Sequence, residues 1–267
     1  MSKAGPSRIS FQKNIAIGAA VLLFCILYFG FSLTNKKKKL ELDKTRALTT
    51  EATSSEALLK EAKAAVSHDT VELIDRLEHF AKEGDTSSMV DNYKKLSGLW
   101  YGQKRFGLAG YYAQKVAELE DNPQAWSIAG TSYGAGVKLL AEGSEKEFCV
   151  GRAIKAFEHA ISLEPKVTAH RLNLASIYVE APPKDEPMKG IQMLLEMNKN
   201  EPDNTSVMNL LGQLAIKTGQ YDKAVQRLEK SYQTDPDNPQ TPCLLSMAYE
   251  GLGQHEKAHD WASKCSQ

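Results

Sequence analysis

Six histidines, four cysteines and a scatter of serines are the side chains here that could do chemistry. His255 and His259 stand four residues apart. On a helix that spacing puts two imidazoles on one face, the geometry of a two-histidine metal site. A third, carboxylate ligand is not evident, and the remaining histidines, His68, His79, His159 and His170, are isolated. Ser132 sits between Gly130 and Gly134. A nucleophile elbow requires a sharp strand-to-helix turn, whereas this stretch reads as helix. Gly134–Gly136 reads as a helix end and turn, and no phosphate-cradling glycine loop is present. Cys25, Cys149, Cys243 and Cys265 are too few and too scattered for a disulfide framework or a zinc site. The residues therefore imply no catalytic, cofactor or metal site, and a protein that is not an enzyme.

The elements that must position any functional residue show a clear period. Residues 203–236 read as one helix–turn–helix unit, and Pro202 and Pro236 are 34 residues apart. Small residues, Gly212 and Ala224, mark where the two helices approach, and they are expected to face each other. Met208, Leu211 and Leu228 supply the larger apolar contacts. The same phase recurs downstream at Leu245, Ser246, Tyr249, Gly253, Ala258 and Ala262. There His255 takes the place usually filled by a packed tyrosine. Upstream it recurs at Leu174, Ala175, Tyr178, Gly190 and Leu194, with residues 181–187 lengthening the turn. Trp126, Gly130 and Tyr133 pair with Ala153, Phe157 and Ala160 across a longer connection that includes Cys149. Tyr93, Leu96, Ser97 and Trp100 pair with Phe106, Ala109 and Leu119. Five phased units of about 34 residues are the signature of a helical repeat. The fold class is all-α: a right-handed solenoid over residues 88–267. The aromatics Trp100, Tyr101, Tyr111, Tyr112, Trp126 and Tyr133 crowd the first two units. Most fall at core positions, and an aromatic wall in the groove is the alternative.

The front of the chain is of another kind. Residues 1–13 form a basic tail carrying Lys3, Arg8 and Lys13. Residues 14–35 carry no charge, and the 19 apolar residues from Ile15 to Leu33 form their centre. At 1.5 Å per residue these span about 28 Å, close to a bilayer's hydrocarbon core. A single N-terminal transmembrane helix is expected, and the run is too long for the apolar part of a cleaved signal. Residues 36–87 form a basic, then polar, spacer, with a capping helix expected over 68–82. Residues 1–46 carry nine Lys/Arg and two acids, a balance of +7, so the rest of this neutral chain stands at −7. A mildly acidic body argues against a nucleic-acid groove. Orientation is read both ways. Lys36–Lys39, Lys44 and Arg46 favour a cytoplasmic body, and the short basic tail resists export.

The apolar span followed by these repeats resembles membrane-anchored tetratricopeptide repeat proteins of bacterial inner membranes. Glu186–Pro187–Met188 and the turn over residues 219–224 are similar to a group common in Bacteroidetes. The resemblance implies a non-catalytic scaffold or adaptor in the inner membrane. Its array would face the periplasm and hold a protein of the cell-envelope or secretion machinery, within a membrane protein complex. The alternatives are a cytoplasm-facing receptor for a ribosome, chaperone or other soluble partner, and an accessory subunit of an enzyme complex. Related arrays clamp acidic peptide ends with Lys, Arg and Asn on their first helices. The corresponding residues here are Lys94, Lys95, Arg171, Asn173 and Asn209, an incomplete set.

In the final unit Cys243 falls near the start of one helix and Cys265 near the end of its antiparallel partner. They are therefore candidate neighbours for a disulfide, which requires Cα atoms within about 7 Å. Such a bond persists only in an oxidising compartment. The alternative is two small residues filling apolar positions.

Overall fold

The computed structural model describes residues 55–265. The expected span over 14–35, the tail before it and the spacer as far as residue 54 lie outside the described residues. Among the described residues, no helix is long and apolar enough to cross a membrane.

Twelve α-helices account for most of the described chain. They are α1 (Ser55–Ala64), α2 (His68–Glu83), α3 (Thr86–Gly102), α4 (Phe106–Glu120), α5 (Pro123–Leu139) and α6 (Ser144–Leu163). α7 (Thr168–Glu180), α8 (Lys189–Asn200), α9 (Thr205–Lys217), α10 (Tyr221–Thr234), α11 (Gln240–Gly251) and α12 (His255–Cys265) complete the set. Several start on side-chain caps. Ser67, Asp85, Asn122 and Asn204 accept hydrogen bonds from the backbone N–H of Thr70, Ser88, Ala125 and Val207, meeting donors that a helix end leaves unpaired. From α3 onward consecutive helices pair as five hairpins, α3/α4 to α11/α12, and each hairpin packs on the next. No hairpin could bury its apolar face alone, and stacking supplies the missing partner.

The turns inside the hairpins share a backbone device. Gly219 and Gly253, 34 residues apart, both take φ +71°, left-handed values that suit glycine. The matching turn between α3 and α4 uses Lys104 instead, at φ 57°.

Helix pairing is also repeated in its polar detail. Ser97 Oγ donates to the Ala109 carbonyl and Ser246 Oγ to the Ala258 carbonyl, each across its own hairpin, at 2.8 and 2.9 Å. The equivalent residue in the fourth hairpin is Gly212, and the nearest atoms a side chain there would meet belong to Leu228. A Cβ added there would lie 2.6 Å from Leu228 Cδ2, one turn beyond Ala224 on α10. Stepping forward along α9 pairs with stepping back along the antiparallel α10, and Ala224 shares a core cluster with Ala215. At the other end, α1 and α2 contribute Ala62 and Ile74 to a cluster with Leu96, Trp100, Leu108 and Tyr112 of the first hairpin. Trp100 is fully buried there, worth about 1.5–3 kcal/mol for a large apolar side chain.

Two expectations are corrected. Gly134 and Gly136 are not a turn: α5 runs through both to Leu139. The space a Cβ would take at Gly136 is filled by Cys149 Sγ, 2.6 Å away. Cys149 is not in a loop either; it is buried inside α6, where loss of hydration pushes its thiol up to about 12.

Candidate functional site

α5 presents two unlike faces. Its inner face is built from small residues, so that α6 can come close. A Cβ at Gly130 would lie 2.7 Å from the Phe157 ring. Its outer face carries Ile128, 61 % exposed, and Leu139, 69 % exposed, with Thr131, Ala135 and Lys138 between them. Ile128 and Leu139 are the two most exposed large apolar side chains among the described residues.

This outer face is flanked by α3 on one side and α7 on the other, and a cavity opens on each half. At the C-terminal half, an open pocket of about 280 Å³ is lined by Tyr101 of α3, Thr131, Ala135 and Leu139 of α5, and Asn173 and Ser176 of α7. Half-exposed Tyr101 is held edge-on to Phe106, with ring centroids 5.3 Å apart. At the N-terminal half, about 490 Å³ is lined by Lys94, Val116, Glu120, Gln124, Ala125 and Ile128. An apolar floor with a polar rim is the usual make-up of a recognition pocket. The rim is tied by Lys94 Nζ donating to Glu120 Oε1 at 2.7 Å. This bond, with that from Asn122, holds the Glu120 carboxyl below the usual range.

The clamp residues do not converge. Lys94 and Asn173 border the two α5 cavities, and Lys95 is exposed beside Lys94 without lining either. Arg171 belongs to a separate cavity against α8, with Met193, Glu196, Met197 and Asn200. There it lies 3.6 Å from Glu201. Asn209 is 1 % exposed. Its amide donates to Thr241 Oγ1 at 2.9 Å and its carbonyl oxygen accepts from Ser231 Oγ at 2.7 Å. That amide is committed to joining α9, α10 and α11, because buried polar groups need partners.

Two letter patterns deserve a geometric answer. Gly130–Gly134 matches G-x-S-x-G, yet Ser132 is buried mid-helix and its hydroxyl donates to the Ile128 carbonyl at 2.9 Å. An exposed strand-to-helix elbow is what that motif needs. Likewise His255 to His259 spells H-E-x-x-H. The imidazole of His255 is not packed into a core, as the repeat position led one to expect. It is exposed, with Nδ1 3.0 Å from Glu250 Oε1. Among the described residues no three His, Cys, Asp or Glu side chains are grouped to hold a metal ion. Cys243 and Cys265 are brought together, with Cα atoms 4.7 Å apart and sulfurs 1.90 Å apart.

Ile128 and Leu139 were absent from the residues singled out by sequence. A signal existed: α5 is apolar on more than the one stripe a surface helix needs to bury.

A family model for the tetratricopeptide repeat matches residues 215–264, the end of α9 through α12. No curated protein is detectably similar. Solved structures to which the chain shows similarity include "Crystal structure of MamA protein", at 18 % identity over 67 % of this chain and 91 % of that one, with a TM-score of 0.39. Another is "MamA 41-end from Desulfovibrio magneticus RS-1", at 16 % identity over 68 % and 94 %, with a TM-score of 0.42.

Proposed function

We propose that this chain is a non-catalytic scaffold that holds a segment of a partner protein along α5, between α3 and α7. The observation carrying this reading is the pair of adjoining cavities on α5, each beside an exposed aliphatic side chain, Ile128 or Leu139. Central apolar anchors within a polar rim supply most of the energy of a protein contact.

The same proposal holds the array at a membrane through residues 14–35, whose uncharged length suits a bilayer. It places the array on the oxidising, periplasmic side of an inner membrane, where a partner from the envelope or secretion machinery would meet it. The adjacency of Cys243 and Cys265 supports that side, since a bond between them would persist there. The lysines Lys36–Lys39 favour the opposite orientation, with a soluble cytoplasmic partner. Accessibility of introduced surface cysteines in intact cells to an impermeant reagent separates the two.

The groove is tested by a photo-crosslinking residue at Thr131 in the full chain, expressed in its own cells. A defined adduct is expected, lost on Ile128→Asp with Leu139→Asp. The same probe at Lys155, on the outer face of α6, should give none. An adduct unaffected by the double substitution would remove the groove from the proposal. For the anchor, Leu22→Arg with Leu23→Arg should release the chain from carbonate-washed membranes, because each charge costs roughly 2.5–3.5 kcal/mol mid-span. Retention would assign attachment to the repeats.

A further inference from the structure

Cys243 of α11 and Cys265 of α12 stand within bonding distance, and both residues are partly exposed. Apart from that bond, α12 packs chiefly on α11. Ala258 is its one buried residue. Ser246 Oγ reaches the Ala258 carbonyl from α11. Trp261 meets the Tyr232 ring edge-on, 4.7 Å between centroids, with Lys264 Nζ over both rings. Trp261 and Tyr232 are only partly buried, and they cover a cluster that includes Leu244, Leu245, Ala248 and Tyr249. The remaining cysteine among the described residues, Cys149, is fully buried and its thiol is pushed up to about 12. It can neither attack the pair nor resolve a mixed disulfide.

We infer that the Cys243–Cys265 pair is a redox-responsive site that latches α12, so that its reduction by a dithiol frees this helix and bares the α11 face beneath. In the step, one thiolate of the dithiol attacks a cysteine sulfur and the Cys243–Cys265 bond breaks. The second dithiol sulfur then closes on the first. Two electrons and two protons pass to the cysteines, which leave as thiols while the dithiol becomes a cyclic disulfide. With the bond in place, opening of α12 is confined to a closed loop spanning a sequence separation of 22 residues. Cutting it restores the chain entropy of that loop, so opening should become up to roughly 300-fold more frequent.

The inference does not rest on the α5 groove. Its test is hydrogen exchange by mass spectrometry on the full-length chain in detergent, purified with thiols blocked, before and after dithiothreitol. Amides of residues 256–265 should exchange faster after reduction, and those of α9 should not change. Cys243→Ser with Cys265→Ser should behave like the reduced protein with or without dithiothreitol, while unchanged exchange in α9 certifies its fold. Equal protection of 256–265 in oxidised and reduced protein would overturn the latch. So would finding both cysteines alkylated in protein that never met a reductant.

Discussion

Gly190, the second residue of α8, offers the sharpest test of how these hairpins pack. A Cβ built there would stand 2.7 Å from the Ala175 carbonyl oxygen and 2.7 Å from the Val179 backbone nitrogen. Ordinary contacts for a Cβ begin at 3.4 Å, so Gly190→Ala must part α7 and α8 by about 0.7 Å. Those are main-chain atoms of a helix, and no rotamer change can move them aside. Overpacking costs about 1–3 kcal/mol, and rigid neighbours put this case toward the upper end. Alanine returns up to about 1 kcal/mol of helix propensity, less near a helix start. The net expectation is a loss of about 1–2 kcal/mol. Gly98, inside α3, is the control, because a Cβ there meets nothing within 4 Å. Gly98→Ala should gain about 0.5–1 kcal/mol. The two identical chemical changes therefore carry opposite signs, about 1.5–3 kcal/mol apart. Urea titration of the full chain by circular dichroism gives the totals. Hydrogen exchange in α7 and α8 localises them, since repeat arrays need not unfold in one step. A Gly190→Ala protein as stable as Gly98→Ala would refute the close approach of α7 and α8.

Three further outcomes are expected. Lys104→Gly should raise stability by about 0.5–1 kcal/mol by relieving a left-handed lysine that its repeat equivalents, Gly219 and Gly253, avoid; a lower urea midpoint would count against this. Asn209→Ala should cost about 1–3 kcal/mol, because buried Thr241 loses its side-chain partner and Ser231 keeps only the Thr205 carbonyl, at 3.4 Å. Faster exchange in α9 to α11 is the reading to look for, and an unchanged midpoint would deny the network any role. Glu120 is held below its usual range first by Lys94, so its folded value lies under its unfolded one. Its stabilisation is complete above the unfolded value and is lost as pH falls below about 4.5, through the folded value. Contacts between α3 and α4 should loosen in that window, and Glu120→Gln should flatten the response in amide exchange of those helices.

Much of the helix order was legible because local signals repeat. The capping residues Asp85, Asn122 and Asn204 stand just before helices, and the turn glycines Gly219 and Gly253 share one backbone state. Legibility failed where a residue type carries two meanings. Glycine marks turns, but Gly134 and Gly136 lie inside α5, the latter leaving room for Cys149. Asparagine on a first helix suits a peptide clamp, but Asn209 is sealed between three helices. His255 was assigned by phase to a core position, yet the last hairpin has no further unit among the described residues to cover it.

The candidate site was the least legible part, for a reason that is not local. Periodicity along α5 separates two faces: Gly130 and Gly136 toward α6, and Ile128, Thr131, Ala135 and Leu139 on the other side. It does not say which face a neighbour will cover. Had the next first-position helix crossed closer, Ile128 and Leu139 would be ordinary core, as Tyr133 and Val137 are. What leaves them in water is the spacing of α3 and α7 about α5. On its other side α5 is held close to α6, where Phe157 and Cys149 fill the room left by Gly130 and Gly136. A groove of this kind is a property of the stack, and it is visible only once the hairpins are placed.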